Sequence, residues 1–273
     1  MVTGTLERTH GIQTDDFQFL KSVTAKTPKV CIPSPSTVHF RGGRAAVSEE
    51  AYPDTDEFFA DLGRVYHEEI ADLGARGLTC LQLDDTNLAY LCDPALCDKT
   101  KSIGEDPDVL PHTYAKLINE SIGARPAAMA ACIHLCRGNY RSSWVSEGGY
   151  EPVAEALFNE IEVDGYFLEN DTPRAGDFSP LRFVPKGKKV VLGLVTSKKP
   201  DFESKDELKR RVDEAARYVP MEDLALSSQC GFASTAEGNG LSETRSAPSS
   251  NSWSRWRGKC GGSPHRKLAA STT

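Results

Sequence analysis

Polar and apolar positions along this chain follow two alternating periods. Short, β-rich apolar runs end in polar residues, and a stretch of helical spacing follows each one. The runs are Lys29–Pro33 (KVCIP), Leu78–Asp84 (LTCLQLD), Ala128–His134 (AMAACIH), Tyr166–Glu169 (YFLE), Lys189–Thr196 (KVVLGLVT) and Leu224–Gln229 (LALSSQ). Helical spacing is clearest over Asp56–Leu73, where Phe58, Phe59, Leu62, Val65, Tyr66 and Ile70 recur at three- and four-residue steps. Tyr114–Ile122, Pro152–Glu160 and Lys205–Val219 read the same way. The last carries Asp206 and Glu207 in its first turn, where acidic side chains meet the positive end of the helix dipole.

Strand–helix alternation with near-continuous apolar strands predicts a parallel sheet covered by helices, an α/β protein. Strand ends near residues 84, 134, 169, 196 and 229 are 50, 35, 27 and 33 residues apart, and steps near thirty are those of the βα units of a barrel. Six units against the eight of a closed (β/α)₈ barrel imply an incomplete TIM-type barrel, expected over residues 1–243. From residue 244 the chain reads TRSAPSSNSWSRWRGKCGGSPHRKLAASTT, which has no periodicity and is expected to be a disordered tail. A choice of codons exists for which Ala247–Cys260, read in another frame, encodes the amphipathic helix AKLELVVEVAGKVW. The tail is therefore expected to be out-of-frame sequence in place of a final helix, which the gene sequence decides.

Composition narrows the function classes. With 32 basic and 39 acidic residues the net charge is −7, which argues against a nucleic-acid surface. No apolar stretch approaches the roughly 18–20 residues that span a bilayer, and MVTGTLERTH lacks the apolar core of a signal peptide, so a cytoplasmic protein is expected. Eight cysteines (31, 80, 92, 97, 132, 136, 230 and 260) in such a chain are expected as thiols.

The candidate chemistry lies at the strand ends. In an extended strand, residues i and i+2 point to one side, so His134 and Cys136 can aim at a common point from the barrel mouth. Glu169 closes a run one unit later, and Cys230 closes another about two units beyond that. Imidazole, two thiolates and a carboxylate form a chemically sensible zinc set. The same residue types also fit plain packing: a His-x-Cys in an apolar segment, a glutamate at a strand tip and a single cysteine are each common without a metal. Cys92 and Cys97 form a rival pair with no histidine nearby.

Five segments in order, LQLDD (81–85), HLCRGN (134–139), YFLEND (166–171), LGLVTSKKPDFESKDELKRRV (192–212) and LALSSQCGFAS (224–234), resemble the C-terminal catalytic domain of cobalamin-independent methionine synthases. The similarity is closer to the short single-barrel relatives and covers about residues 1–243. It implies that His134, Cys136, Glu169 and Cys230 are zinc ligands, and that Asp84 holds the amino group of homocysteine. It implies a zinc-dependent transfer of a methyl group from 5-methyltetrahydrofolate to the homocysteine thiol, with those two small molecules as partners, no nucleic acid or membrane, and the oligomeric state left open.

The departures from the family pattern are specific. Its DEP segment reads Asp84-Asp85-Thr86 here, and where long members carry an acid–base histidine this chain has Thr196-Ser197. The proton donor is therefore unassigned, with Asp171 as the candidate. The chain is expected to begin about two βα units late. Arg41 and Arg44 of HFRGGR offer charges for an anionic folate tail, or simply a solvated loop. Two other functions fit the same residues: a zinc-thiolate transferase acting on an epoxide, and an inactive, incomplete family member.

Overall fold

A computed structural model describes residues 1–199, 203–230 and 236–238. Six strands, β1 (Val30–Pro33), β2 (Cys80–Asp85), β3 (Ala130–Leu135), β4 (Gly165–Glu169), β5 (Lys189–Val195) and β6 (Leu224–Ser228), form one sheet in chain order. Every pairing is parallel. Among the described residues β1 and β6 each pair on one side only, so the sheet is an incomplete (β/α)₈ barrel. All six expected strands are present. The tail at 244–273 and the segment Gly231–Ser234 lie outside the described residues.

The strands are not the uninterrupted apolar runs that their sequences suggest. Leu81, Leu83, Ile133, Leu135, Tyr166, Leu168, Val190 and Leu192 face the helices and are buried there. The residues between them, Gln82, Asp84, Cys132, His134, Phe167 and Glu169, take the other face, because successive side chains in a strand alternate. The apolar layer lies between sheet and helices, and the polar layer lines the concave side.

Helices cover the outer face. Thr55–Ala75 is capped by Asp54, whose carboxylate accepts from Asp56 N at 2.9 Å, and it buries Phe58, Leu62 and Ile70 as its spacing predicts. It packs against Leu110–Ile122, which begins four residues earlier than its apolar pattern. Lys205–Ala215 is capped by Ser204, which accepts from Glu207 N at 3.1 Å; it ends short of the expected Val219. Pro152–Glu160 is not one regular helix. It divides into a 3₁₀ turn at Glu151–Val153 and a π-helical stretch at Ala156–Glu160. Thr14–Val23 and Pro94–Ser102 are helices with no expectation behind them. The chain before the first is tied down by Glu69, which accepts from Arg8 Nε, Ile12 N and Gln13 N at 2.8–3.0 Å.

Among the described residues no helix is long and apolar enough to cross a membrane, and the seven cysteines described are free thiols. Burial pushes Cys92 and Cys132 up to about 12. Below about pH 9 these thiols stay protonated whether the chain is folded or not. Between about 9 and 12 the unfolded chain releases protons that the folded chain keeps, so stability is lost as pH rises. Urea midpoints are therefore expected to fall steadily above about pH 9. A midpoint that holds level to about pH 11 would show that these thiols are not buried as described.

Candidate metal centre

The mouth of the sheet gathers three of the four residues singled out as ligands. His134, on β3, and Cys136, one residue past its end, lie beside Cys230, two residues past β6, with their ligand atoms all within 4.8 Å of one another. Cys136 Sγ and Cys230 Sγ are 2.9 Å apart, and Cys230 Sγ is 3.8 Å from His134 Nε2. The first separation is well beyond the roughly 2.05 Å of a disulfide, so the two are free cysteines joined by a hydrogen bond. The second is close to the roughly 3.5–3.6 Å between nitrogen and sulfur around a tetrahedral zinc.

Local chemistry explains why these atoms converge. Cys136 N donates to Asp85 O at 3.1 Å, which extends the β2–β3 pairing by one residue beyond the strand. The chain then turns through Gly138 at φ +89, and Gly138 N donates to Cys136 Sγ at 3.3 Å. A Cβ at Gly138 would meet Val145 Cγ2 at 2.7 Å, so this turn needs glycine twice over. Across the sheet, Ser197 Oγ donates to Cys230 O at 2.7 Å and fixes the late thiol to the end of β5.

Asp84 sits behind the histidine. Its Oδ1 accepts from His134 Nδ1 at 3.1 Å and from Gln82 Nε2 at 2.6 Å. An ionised carboxylate can only accept, so Nδ1 carries a proton, and in the neutral ring the Nε2 lone pair faces Cys230, the orientation a metal-binding histidine needs. Burial opposes charge on both partners, yet their mutual hydrogen bond holds the Asp84 carboxyl below its ordinary range and lifts the His134 imidazole above its own. With its side chain 43% exposed, Asp84 still opens to the mouth. Its neighbour Asp85 points the other way and is buried, accepting from Ser36 Oγ at 2.6 Å and capping Leu88 N at 2.8 Å. The capping of the helical turn that follows the strand is thus done by Asp85 and not by Asp84.

The two thiols differ in acidity. A hydrogen bond from Cys230, helped by the charge of His134, brings Cys136 down to about 7. The same contact, together with burial, pushes Cys230 up. One sulfur is thus close to its thiolate form, and the other holds the proton that a bound metal would release.

Glu169 is not among the three clustered ligands; cations hold its carboxylate. Its Oε2 accepts from Arg137 N at 2.8 Å, and its Oε1 contacts Arg174 Nη2 and, at 3.3 Å, Lys198 Nζ. Burial penalises the charged carboxyl, but Lys198 and Arg174 outweigh it and keep the group below the ordinary carboxylate range. The backbone of Glu169 is fastened as well: Tyr150 Oη accepts from Glu169 N at 2.9 Å, and Arg137 Nη1 donates to Glu169 O at 2.8 Å. Arg137 itself is wholly buried, with its guanidinium carbon 4.2 Å from the centre of the Tyr150 ring.

The remaining candidates divide. Asp171 Oδ1 accepts from Arg174 Nη2 at 3.0 Å. Arg44 is committed to the carbonyls of Val47 and Tyr52, at 3.1 and 2.7 Å, so its charge supports a loop. Arg41 is exposed, at the C-terminal end of the short helix Thr37–Phe40. Cys92 and Cys97 donate to the carbonyls of Leu88 and Leu91, at 3.4 and 3.2 Å, as packing thiols do. Sequence reasoning missed Arg137, Tyr150, Arg174 and Lys198. The available signal was Lys198-Lys199, a charged pair placed directly after a buried strand.

Fold and site together define a parallel α/β barrel-type protein with a His–Cys–Cys cluster suited to a borderline-soft metal at its C-terminal mouth. Residues 1–247 match the family described as cobalamin-independent synthase, catalytic domain. The uncharacterized protein YxjH of Bacillus subtilis is 43% identical over 244 residues, or 89% of this chain and 64% of that protein. A methionine synthase of Pyrococcus abyssi is 26% identical over 67% of this chain and 45% of its own length. A structure from Listeria monocytogenes, provisionally named a vitamin-B12-independent methionine synthase, superposes with a TM-score of 0.76 at 35% identity. That alignment covers 96% of this chain and 73% of the Listeria chain. The chain belongs to the cobalamin-independent methionine synthase family, and it spans 64% of the length of the Bacillus relative.

Asp84→Ala removes the acceptor that orients His134. It is expected to weaken zinc binding by about 10- to 100-fold in a chelator competition, with the fold retained. An unchanged zinc affinity would mean that Asp84 does not orient the imidazole toward a metal.

Proposed function

We propose that this chain carries a zinc-dependent methyl-transfer site, moving a methyl group from 5-methyltetrahydrofolate to the thiol of homocysteine to form methionine. The observation that carries the reading is the approach of the His134, Cys136 and Cys230 ligand atoms at the sheet mouth. One imidazole and two thiols are a fitting donor set for zinc, and Glu169 beside them is the fourth donor in this reading. Zinc held there supplies a Lewis acid that keeps a substrate thiol deprotonated at neutral pH. Lowering a thiol pKa of roughly 8.5 by two units corresponds to about 2.7 kcal/mol.

The chain's own residues do the rest. Asp84, exposed at the mouth, takes the homocysteine ammonium as an ion pair while it keeps His134 in its tautomer. Cys136 and Cys230 give the centre negative charge, which favours a nucleophilic sulfur over a tightly held one. A cavity of about 180 Å³, lined by Trp144, Asp171, Thr172, Arg174, Thr196 and Lys198, adjoins Glu169 and offers aromatic and polar surface to the methyl donor. Displacing a tertiary amine needs a proton at the departing nitrogen. Asp171, which lines that cavity, is the candidate acid. The similarity to methionine synthases of archaea and to the Listeria structure supports the reaction class.

The test is zinc content and product formation with the full chain. The wild type is expected to retain zinc through gel filtration and to form methionine from L-homocysteine and 5-methyltetrahydrofolate. Cys230→Ala is expected to lose both. Full zinc retention by that variant would remove Cys230 from the ligand set. A wild type that holds zinc but consumes a thiol only with an epoxide would replace the methyl donor in this reading.

A further inference from the structure

We propose that Lys29 and Gln82 are positioning residues for recognition of the amino group of the substrate thiol: together they fix the Asp84 carboxylate so that Oδ1 serves His134 and Oδ2 is presented to the mouth. This rests on the reading of Asp84 as the partner of the homocysteine ammonium.

A line of polar side chains crosses the concave face toward the candidate centre. Lys29, one residue before β1, donates from Nζ to Gln82 Oε1 at 3.0 Å. Gln82, on β2, donates from Nε2 to Asp84 Oδ1 at 2.6 Å, and the same oxygen accepts from His134 Nδ1 at 3.1 Å. Gln82 is buried, although its side chain lies on the polar face of the sheet. The Lys29 ammonium is also 5.2 Å from the centre of the Phe167 ring, and Phe167 pairs with His134 in the sheet register.

The chemistry of an amide makes this line directional. An ammonium can only donate, and an ionised carboxylate can only accept. Lys29 requires Oε1 on its side and Asp84 requires Nε2 on its own, so both neighbours select one orientation of Gln82. A reversed amide would set donor against donor at one end and acceptor against acceptor at the other, in a buried place.

The consequence falls on Asp84. Two donors occupy Oδ1, and among the described residues no donor is paired with Oδ2, while the side chain remains open to the mouth. Without the amide, Asp84 keeps His134 but loses the contact that fixes the plane of its carboxylate. An incoming ammonium must then order that group itself, which costs affinity. A thiol with no amino group makes no use of Oδ2 and is indifferent to the change. The charge of Lys29 alone would act in the opposite sense, because two cations repel.

Binding of L-homocysteine and of 4-mercaptobutanoate, which lacks the amino group, to the zinc-loaded full chain tests this by calorimetry. Gln82→Met, similar in length and without a donor, is expected to bind L-homocysteine about tenfold more weakly and 4-mercaptobutanoate as the wild type does, with zinc content unchanged. Gln82→Asn, whose amide is one methylene too short to span both neighbours, is the milder change should the first variant fold poorly, and it is expected to shift L-homocysteine in the same direction. Lys29→Met is expected to weaken L-homocysteine binding about threefold, and to add nothing in a Gln82→Met background. Lys29→Arg, which keeps a donor, is expected to bind as the wild type does. Equal weakening of both thiols in the Gln82 variants overturns the inference, and so does weakening of neither. Tighter L-homocysteine binding by Lys29→Met overturns it as well. A wild type that binds the two thiols equally overturns the Asp84 reading itself, and one that holds no zinc overturns the zinc reading and this inference with it.

Discussion

The two-residue alternation of a parallel strand is the constraint on which this molecule depends. One face of the sheet must be apolar to hold helices, and that requirement frees the other face to be polar. Leu81, Leu83, Ile133 and Leu135 meet it on β2 and β3, so Gln82, Asp84, Cys132 and His134 are turned together to the concave side. The register pairs Asp84 with His134 directly, which is why the carboxylate lies next to the imidazole. A shift of one residue in β3 would put His134 under a helix and a leucine in the mouth.

Electrostatics at the mouth follow from that arrangement. Polar groups gathered on the concave side of a narrow sheet lose water before they gain a ligand, so each must find a partner in the chain. Asp84 finds His134, Cys136 finds Cys230, and Glu169 finds Arg174, Lys198 and a backbone N–H. The result is one sulfur close to thiolate and a carboxylate held ionised in a buried place. Both are the protonation states that a borderline metal requires of its ligands.

Much of the fold was legible because strand and helix periods differ. Each of the six strands was visible as an apolar run, and Phe58, Leu62 and Ile70 marked the buried stripe of the helix at Thr55–Ala75. The break in Pro152–Glu160 was not legible, since a π-helical stretch and a regular helix share nearly the same spacing of buried residues over so few positions. The polar inner face was hidden for a related reason. Cysteine, alanine and phenylalanine count as apolar in a run, whichever side of the sheet they occupy.

By itself the sequence determined the order of the elements, their parallel pairing and the presence of His134, Cys136 and Cys230 at strand ends, because these follow from local periodicity and unit spacing. Only the tertiary structure decided which atoms meet. It joined Cys136 to Cys230 across 94 positions of chain, gave Asp84 to His134 and Asp85 to a helix cap, and surrounded Glu169 with Arg137, Arg174 and Lys198. The physical reason is that side-chain contact across a sheet depends on register and rotamer, which adjacent residues in the sequence do not encode.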